Sequence, residues 1–552
     1  MARKKDNIET KFKTRSYSMI FLFISIYSFL IYRLINIQVV DSDIYKEKMI
    51  SQNTYRVNLN SGRGSIYDRN GNLLTDTFKK QIIVAEKKKL FNDTKYKELV
   101  KNTANIDEIE LFKCIEEQRE SSVVEIKTDK LSKEVKEKLE KEGLIVAEKI
   151  ERYSSDKLLS HTIGYIKKSD KVGEAGIEKS MEDILNNSNE KYVSAFKAGN
   201  KYNIGILKGS IKNINEDENA KNIKLTIDKS IQKEVEKILD KEENPSAVVI
   251  SDIDTGEILS MASRPTFNPS DLSEGSNIDD GKFINRAIQR TYPPGSVFKI
   301  VVLYAALENK ILDENYSYNC VGKVNVGKNE ELKCNNLNGH GVQNLQQAFS
   351  NSCNTAFYDI ALKTGKKNIL NSARKLHLNE KVDIGLDEEK SRELPSDIAI
   401  RNLSIGQGDL EFTPLQINQM TQIVANNGRY RPLYIYDSII DNDKNIIKTF
   451  KTSKSEEIIS PYIMTIIKEM MKDVSKSGTA KDLIDLEGGS GVKTGTAQSV
   501  SNGNKVNHGW ISGYYPEKNP KYVITVFIEG TKENSKSAIP IFKEICEAIN
   551  KK

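Results

Sequence analysis

Pro293-Pro294-Gly295-Ser296-Val297-Phe298-Lys299 is the stretch from which the rest of the chain can be read. A serine hydroxyl is a poor nucleophile until a base takes its proton. Ser296 and Lys299 stand three residues apart, almost one helical turn, so their side chains can face each other. A lysine in a dry site, or near other cations, becomes neutral enough to be that base. Pro-Pro-Gly suits a turn running into a helix N-terminus, whose free N–H groups would meet a developing oxyanion. Alone, Ser-x-x-Lys recurs often by chance, and a buried helix start with a solvent-facing lysine explains it equally well.

Two further motifs follow in order. In Ser352-Cys353-Asn354, Ser352 is placed to relay a proton between Ser296, Lys299 and a leaving amine, and Asn354 to bond a substrate amide. Helix capping is the competing reading, since Ser and Asn are favoured caps and the apolar stretch Thr355–Leu362 comes next. In Lys493-Thr494-Gly495-Thr496, Lys and Thr suit a carboxylate and Gly lets a substrate backbone approach closely. Together the three match the motif set of serine β-lactamases and penicillin-binding proteins, with Ser-Cys-Asn where that set has Ser-Asp-Asn.

Around the motifs, the sequence predicts strands at Ile223–Ile227, Ser246–Ile253, Glu257–Ala262 and Lys521–Ile528. Helices are predicted at Ile231–Leu239, with Asp228 as N-cap, and at Ile539–Ile549. Strands at both ends with helices between them make residues 221–552 one α+β domain. Residues 38–61 read as an extended stalk. Residues 62–220 read as a mixed α/β pedestal, with strands at Gln81–Ala85 and Ser122–Ile126, a helix at Leu131–Glu142, and the polar stretch Lys212–Lys221 as a linker.

At the N-terminus, Ser16–Tyr32 carries no charge and apolar character resumes through Leu34–Val40, enough for one membrane-spanning helix over residues 16–37. Arg3, Lys4, Lys5, Lys11, Lys13 and Arg15 precede it, which predicts a cytoplasmic tail (residues 1–15) and an exported remainder. No small-residue cleavage site follows, so the segment reads as an anchor and not a signal peptide. Elsewhere the 552 residues have a mixed surface: 83 Lys+Arg against 77 Asp+Glu, net charge +6. That balance gives nucleic-acid binding no support, and no phosphate-cradling motif points to a nucleotide.

Further segments carry a family resemblance. Arg63-Gly64-Ser65-Ile66-Tyr67-Asp68-Arg69-Asn70-Gly71 is similar to the signature after the anchor of class B, monofunctional penicillin-binding proteins. Gly164-Tyr165 and Gly173–Glu178 resemble later pedestal motifs, and Gly406-Gln407-Gly408 with Thr413-Pro414-Leu415-Gln416 resembles a stretch of the transpeptidase domain. His508–Gly513 sits where that family has a strand lining the site. The resemblance implies a penicilloyl-serine transferase fold, an antiparallel sheet with helices, on an elongated pedestal. It implies a D,D-transpeptidase that cross-links peptidoglycan stem peptides outside the cell membrane and is acylated by β-lactams. Ser296 would be nucleophile, Lys299 general base, and Ser352 with Lys493 the proton relay. Thr494 and Thr496, beside Gly495, would hold the substrate carboxylate, and the N–H groups of Ser296 and Thr496 would form the oxyanion hole. A membrane glycan polymerase is the implied partner. Roles in cell division, cell shape and sporulation all fit the motifs. The competing functions are a β-lactamase-like hydrolase or sensor, and a catalytically silent scaffold for a polymerase.

Five cysteines are too sparse for a disulfide framework. Cys320, Cys334 and His340 nevertheless make a soft ligand set for Zn²⁺, with Cys353 or Asp313 as a fourth ligand. Their spacing departs from the usual zinc pairs. Structural zinc, free thiols and a Cys320–Cys334 disulfide all fit. Catalysis by the serine route requires no cofactor.

Overall fold

The computed structural model describes residues 2–41, 54–167, 171–186, 191–196, 211–213, 220–272, 281–312, 315–327, 330–451, 455–501 and 504–551. Helix α1 (Ala2–Ile35) continues as a π-turn over Asn36–Val40. Within it, Thr14–Val40 is long and apolar enough to cross a membrane, with mean hydropathy 1.9. Its large side chains, Phe21, Phe23 and Tyr27 among them, are exposed. Apolar exposure on that scale marks a surface that meets a membrane or another protein.

The chain forms two compact units. The first takes in residues 1–61, 79–150 and 190–215. One of its sheets orders Val123–Thr128, Phe78–Glu86 and Ile145–Glu151. Ile83, Ala85, Val124 and Ile126 point from it into a core shared with Leu139 on the helix Lys133–Lys141. Alternation along each strand puts such residues on one face. A second sheet pairs Lys191–Phe196 with Thr54–Asn58 and Ile211–Asn213. Residues 54–58 are therefore ladder strand and not free stalk, and 211–213 are strand and not linker. The remainder of that linker up to residue 219 lies outside the described residues.

The second unit comprises residues 62–78, 151–189 and 216–552. Its centre is a five-stranded antiparallel sheet of β1 (Ser246–Asp252), β2 (Ile258–Arg264), β3 (Gly491–Ser501), β4 (Asn504–Tyr515) and β5 (Tyr522–Ile528). The order is β2-β1-β5-β4-β3, so β3, with Lys493–Thr496, is an edge. β1 is buried on both faces: Val248 and Ile250 enter one core, Ala247 and Val249 another. A strand covered on both sides reads as a continuous apolar run, as Ala247–Ile250 does.

Helix α2 (Lys229–Leu239) begins at the predicted cap, where Asp228 Oδ1 accepts from the N–H of Ser230 and Ile231. Helix α3 (Lys299–Glu308) is buried on every side from Lys299 to Ala306, as expected of a helix apolar all round. Helices α4 (Asn354–Thr364), α5 (Pro414–Ala425) and α6 (Pro461–Lys476) and the closing helix α7 (Ala538–Asn550) complete the α+β architecture.

The Arg63–Gly71 segment lies in this second unit. Arg63 Nε donates to Glu178 Oε2 at 2.9 Å and Arg152 Nε to Glu178 Oε1 at 2.8 Å. Glu182 and Asp76 complete the network. Buried charges of this kind persist only when paired and hydrogen-bonded.

Candidate active site

Ser296 lies in a tight 3-10 turn, Gly295–Phe298, that runs directly into α3 at Lys299. Gly295 is in the left-handed region (φ +53°), and a Cβ there would lie 2.4 Å from Thr496 O. The turn is thus pressed against the edge strand. Trp510 Nε1 on β4 donates to Pro293 O at 3.0 Å and fixes the approach to it. Ser296 is half-buried and makes no side-chain hydrogen bond among the described residues. Active-site bonds often tighten only when substrate is present.

Lys299 points inward and is completely buried. Its Nζ donates to Ser352 O at 2.7 Å, Asn354 Oδ1 at 2.8 Å and Ser352 Oγ at 3.2 Å. Lys493, also fully buried, donates to the same Ser352 Oγ at 3.1 Å and to Thr494 O at 3.1 Å. Two ammonium groups at one hydroxyl in a dry site cannot both stay charged. Burial lowers Lys299 from its ordinary range to about 7, partly offset by the nearby Cys353 and Cys334 thiols. Burial, then the charge of Lys299, pushes Lys493 well below the usual lysine range. Lys299 is therefore poised to hold or give a proton near neutrality, and the charged form of Lys493 is disfavoured beside it.

Ser352 has φ +53°, the left-handed region that a non-glycine residue enters only at a cost. That conformation goes with Lys299 bonding both its carbonyl and its hydroxyl. The capping reading of this motif fails: Cys353 occupies the N-cap of α4 and makes no side-chain cap bond. Asn354 spends Oδ1 on Lys299 and Nδ2 on Lys333 O at 3.0 Å. It thus orients the lysine and anchors the Cys334 loop, two partners the sequence did not suggest.

On β3, a Cβ at Gly495 would lie 2.8 Å from Pro294 O and 2.9 Å from Val297 Cγ2, so only glycine lets the strand pass the nucleophile turn this closely. Thr496 O faces Gly295 across the gap. In an extended strand the N–H and C=O of one residue point to the same side. The Thr496 N–H therefore also leaves the sheet edge on the Ser296 side. Thr494 Oγ1 lies 2.5 Å from Thr479 Oγ1, and Thr496 Oγ1 accepts from Ser535 N at 3.2 Å. Thr479 and Ser535 belong to no motif, and nothing in the sequence singles them out.

Beside this centre, Cys320, Cys334, Cys353 and His340 bring their ligand atoms within 4.8 Å of one another. The cysteines are free thiols, so the disulfide reading does not hold. Asp313 lies outside the described residues. Cys334 Sγ is 3.8 Å from Cys353 Sγ and 3.6 Å from His340 Nδ1. Sharing one proton with Cys353 holds the Cys334 thiol below its ordinary range and Cys353 above it. Tetrahedral zinc with Zn–S of about 2.3 Å sets sulfur atoms about 3.8 Å apart, so the donor set fits that ion. Thr355 Oγ1 donates to Cys320 Sγ at 3.2 Å, the kind of outer bond that orients a ligand.

The chain is similar to known proteins over most of its length. A family model described as the penicillin binding protein transpeptidase domain matches residues 246–547, and one described as the penicillin-binding protein dimerisation domain matches residues 58–225. Stage V sporulation protein D of Bacillus subtilis is 26% identical over 491 residues, covering 85% of this chain and 74% of that protein. Peptidoglycan D,D-transpeptidase FtsI of Buchnera aphidicola is 27% identical over 587 residues, covering 100% of this chain and 97% of that protein. Among solved structures, the complex between penicillin-binding protein PBP2 and MreC from Helicobacter pylori has a chain with TM-score 0.65 and 22% identity, covering 90% of this chain and 99% of that one.

Proposed function

The chain belongs to the penicillin-binding protein family and is a serine-type peptidoglycan D,D-transpeptidase, and we propose that Ser296 is its nucleophile, served by Lys299, Ser352 and Lys493. The observation that carries this assignment is the shared hydroxyl: Ser352 Oγ receives both buried lysines, and one of them, Lys299, stands one turn beyond Ser296. Lys299 takes the Ser296 proton as Oγ bonds to the penultimate D-Ala carbonyl carbon. The carbonyl becomes an oxyanion held by the N–H groups of Ser296 and Thr496. The proton passes through Ser352, with Lys493 beside it, to the departing nitrogen as the C–N bond breaks and D-Ala leaves. An amine from a neighbouring strand then attacks the acyl-serine and returns the proton along the same path. Thr494 and Thr496 meet the substrate carboxylate, beside the close passage that Gly495 allows.

The chain acts outside the membrane, tethered by α1 with its basic end in the cytoplasm; the Thr14–Val40 segment, the five basic residues before it and Arg15 at its start support this. Cross-linking consumes newly made strands, so a membrane glycan polymerase is the partner this chemistry calls for. Cys320, Cys334, Cys353 and His340 hold a structural zinc ion, which would clamp the loop under Ser352 and Asn354 and take no part in acyl transfer.

The test is covalent labelling with a fluorescent penicillin. The wild-type chain should carry the label at Ser296 by peptide mapping, and Ser296→Ala should carry none. Rapid consumption of penicillin without label would instead mark a hydrolase, and an unconsumed penicillin a scaffold. Elemental analysis of reduced protein should give one zinc per chain; a value well below one would sink the metal assignment.

A further inference from the structure

The two donors of the oxyanion hole come from separate segments, Ser296 from the turn before α3 and Thr496 from the edge strand β3. One loop touches both. Helix Ile400–Ile405 ends at Gly406, in the left-handed region at φ +68°. Gly406 O accepts from Gly295 N at 2.9 Å, one peptide before the Ser296 N–H. A Cβ at Gly406 would lie 2.1 Å from Gly295 O and 2.8 Å from Phe298 Cβ, so this contact is backbone on backbone. The next residue, Gln407, reaches the other way. Its Nε2 donates to Thr496 O at 3.3 Å, one peptide beyond the Thr496 N–H, and its Oε1 accepts from Gln498 N at 3.3 Å. The loop is itself tied down behind the nucleophile turn, where Tyr292 and Phe412 exchange both backbone bonds at 2.9 Å.

We propose that Gln407 is a positioning residue for acylation, which through its two bonds to β3 sets the separation between the Ser296 and Thr496 N–H groups. β3 is an edge strand, so among the described residues no further strand holds it on the side that faces Ser296. On that side the Gln407 amide supplies both a donor and an acceptor. With the amide removed, Thr496 drifts from the carbonyl while the nucleophile and its lysines stay in place. The inference rests on the oxyanion-hole assignment above.

The test uses the full chain and a matched pair of substrates, an acyl-D-alanyl-D-lactate ester and its thionoester, in which sulfur replaces the attacked carbonyl oxygen. Sulfur is larger and a weak hydrogen-bond acceptor, so a well-set hole favours oxygen strongly. Gln407→Met keeps the length of the side chain and loses both bonds. It should slow acylation by the ester about tenfold to a hundredfold, less than the roughly 10²–10³ for outright loss of a donor. The thionoester should slow by less than about threefold, with KM for the ester little changed, so the oxygen-over-sulfur rate ratio falls about tenfold. Gln407→Glu keeps the acceptor for Gln498 N and loses the donor to Thr496; it should lower the ratio too, and it stands in if the methionine variant is unstable. Equal slowing of both substrates, or none, would overturn the proposal and leave Ser296 as nucleophile. Reaction of Ser296→Ala with the ester would instead overturn the underlying assignment.

Discussion

Replacing Gly495 by alanine tests whether the nucleophile turn and the edge strand must touch. The added Cβ would sit 2.8 Å from Pro294 O, 2.9 Å from Val297 Cγ2 and 3.2 Å from Val297 N. Two of those three atoms are backbone, so no flexible tip can swing aside. Restoring ordinary contact requires the strand and the turn to part by about 0.6 Å, beyond the roughly 0.5 Å to which a catalytic constellation must be held. A 1 Å misplacement costs about 10² in rate, so a tenfold to hundredfold loss of acylation is expected. Overpacking should cost about 1–3 kcal/mol of stability as well. Two measurements separate these effects: the second-order rate of labelling by fluorescent penicillin, and the thermal midpoint. Gly428→Ala is the control, because its Cβ would meet backbone at 2.2 Å from Ile459 O while touching no site residue. It should lower the midpoint and leave labelling within about twofold. A Gly495→Ala protein labelled at the wild-type rate would refute the close-contact argument.

Acylation should rise with pH through about 7 and level off above it. Lys299 is protonated, and useless as a base, below its lowered pKa and neutral above it; a rate flat from pH 6 to 8 in stopped-flow labelling would contradict Lys299 as base. Cys353→Ser should lower both the metal content and the labelling rate, because Ser352 and Asn354 flank the lost ligand and both hold Lys299; full zinc with normal labelling would argue against the clamp. Glu178→Ala removes the carboxylate shared by two buried guanidiniums and should cost about 3–5 kcal/mol in urea unfolding; a loss under about 1 kcal/mol would show that Glu182 and Asp76 suffice.

Chemistry forces identity where structure only prefers it, and that decides what the sequence could reveal. Ser296, Lys299, Ser352 and Lys493 were legible because the acyl transfer proposed for them tolerates few substitutes at those points. Strands β1, β2 and β5 of the central sheet were legible because their apolar runs have no other use; β3 and β4, which carry Lys493–Thr496 and His508–Gly513, have no such run. The interleaving of residues 62–78 and 151–189 with the catalytic unit was not, since it rests on packing between segments far apart in sequence. Gln407 was visible only as part of a recognised triplet, because its work is two hydrogen bonds across a loop closure. Ser352-Cys353-Asn354 shows both kinds of position within three residues. The outer two face Lys299, and the proposed reaction would fix them. The middle one is buried, 3.8 Å from Cys334 and outside the proposed proton path. A position that the chemistry does not read is free to change, and here it holds the thiol that completes a four-ligand cluster. The same tripeptide can therefore keep its catalytic role and acquire a metal clamp, which makes the stability of the loop, and not the reaction itself, the property that zinc would control.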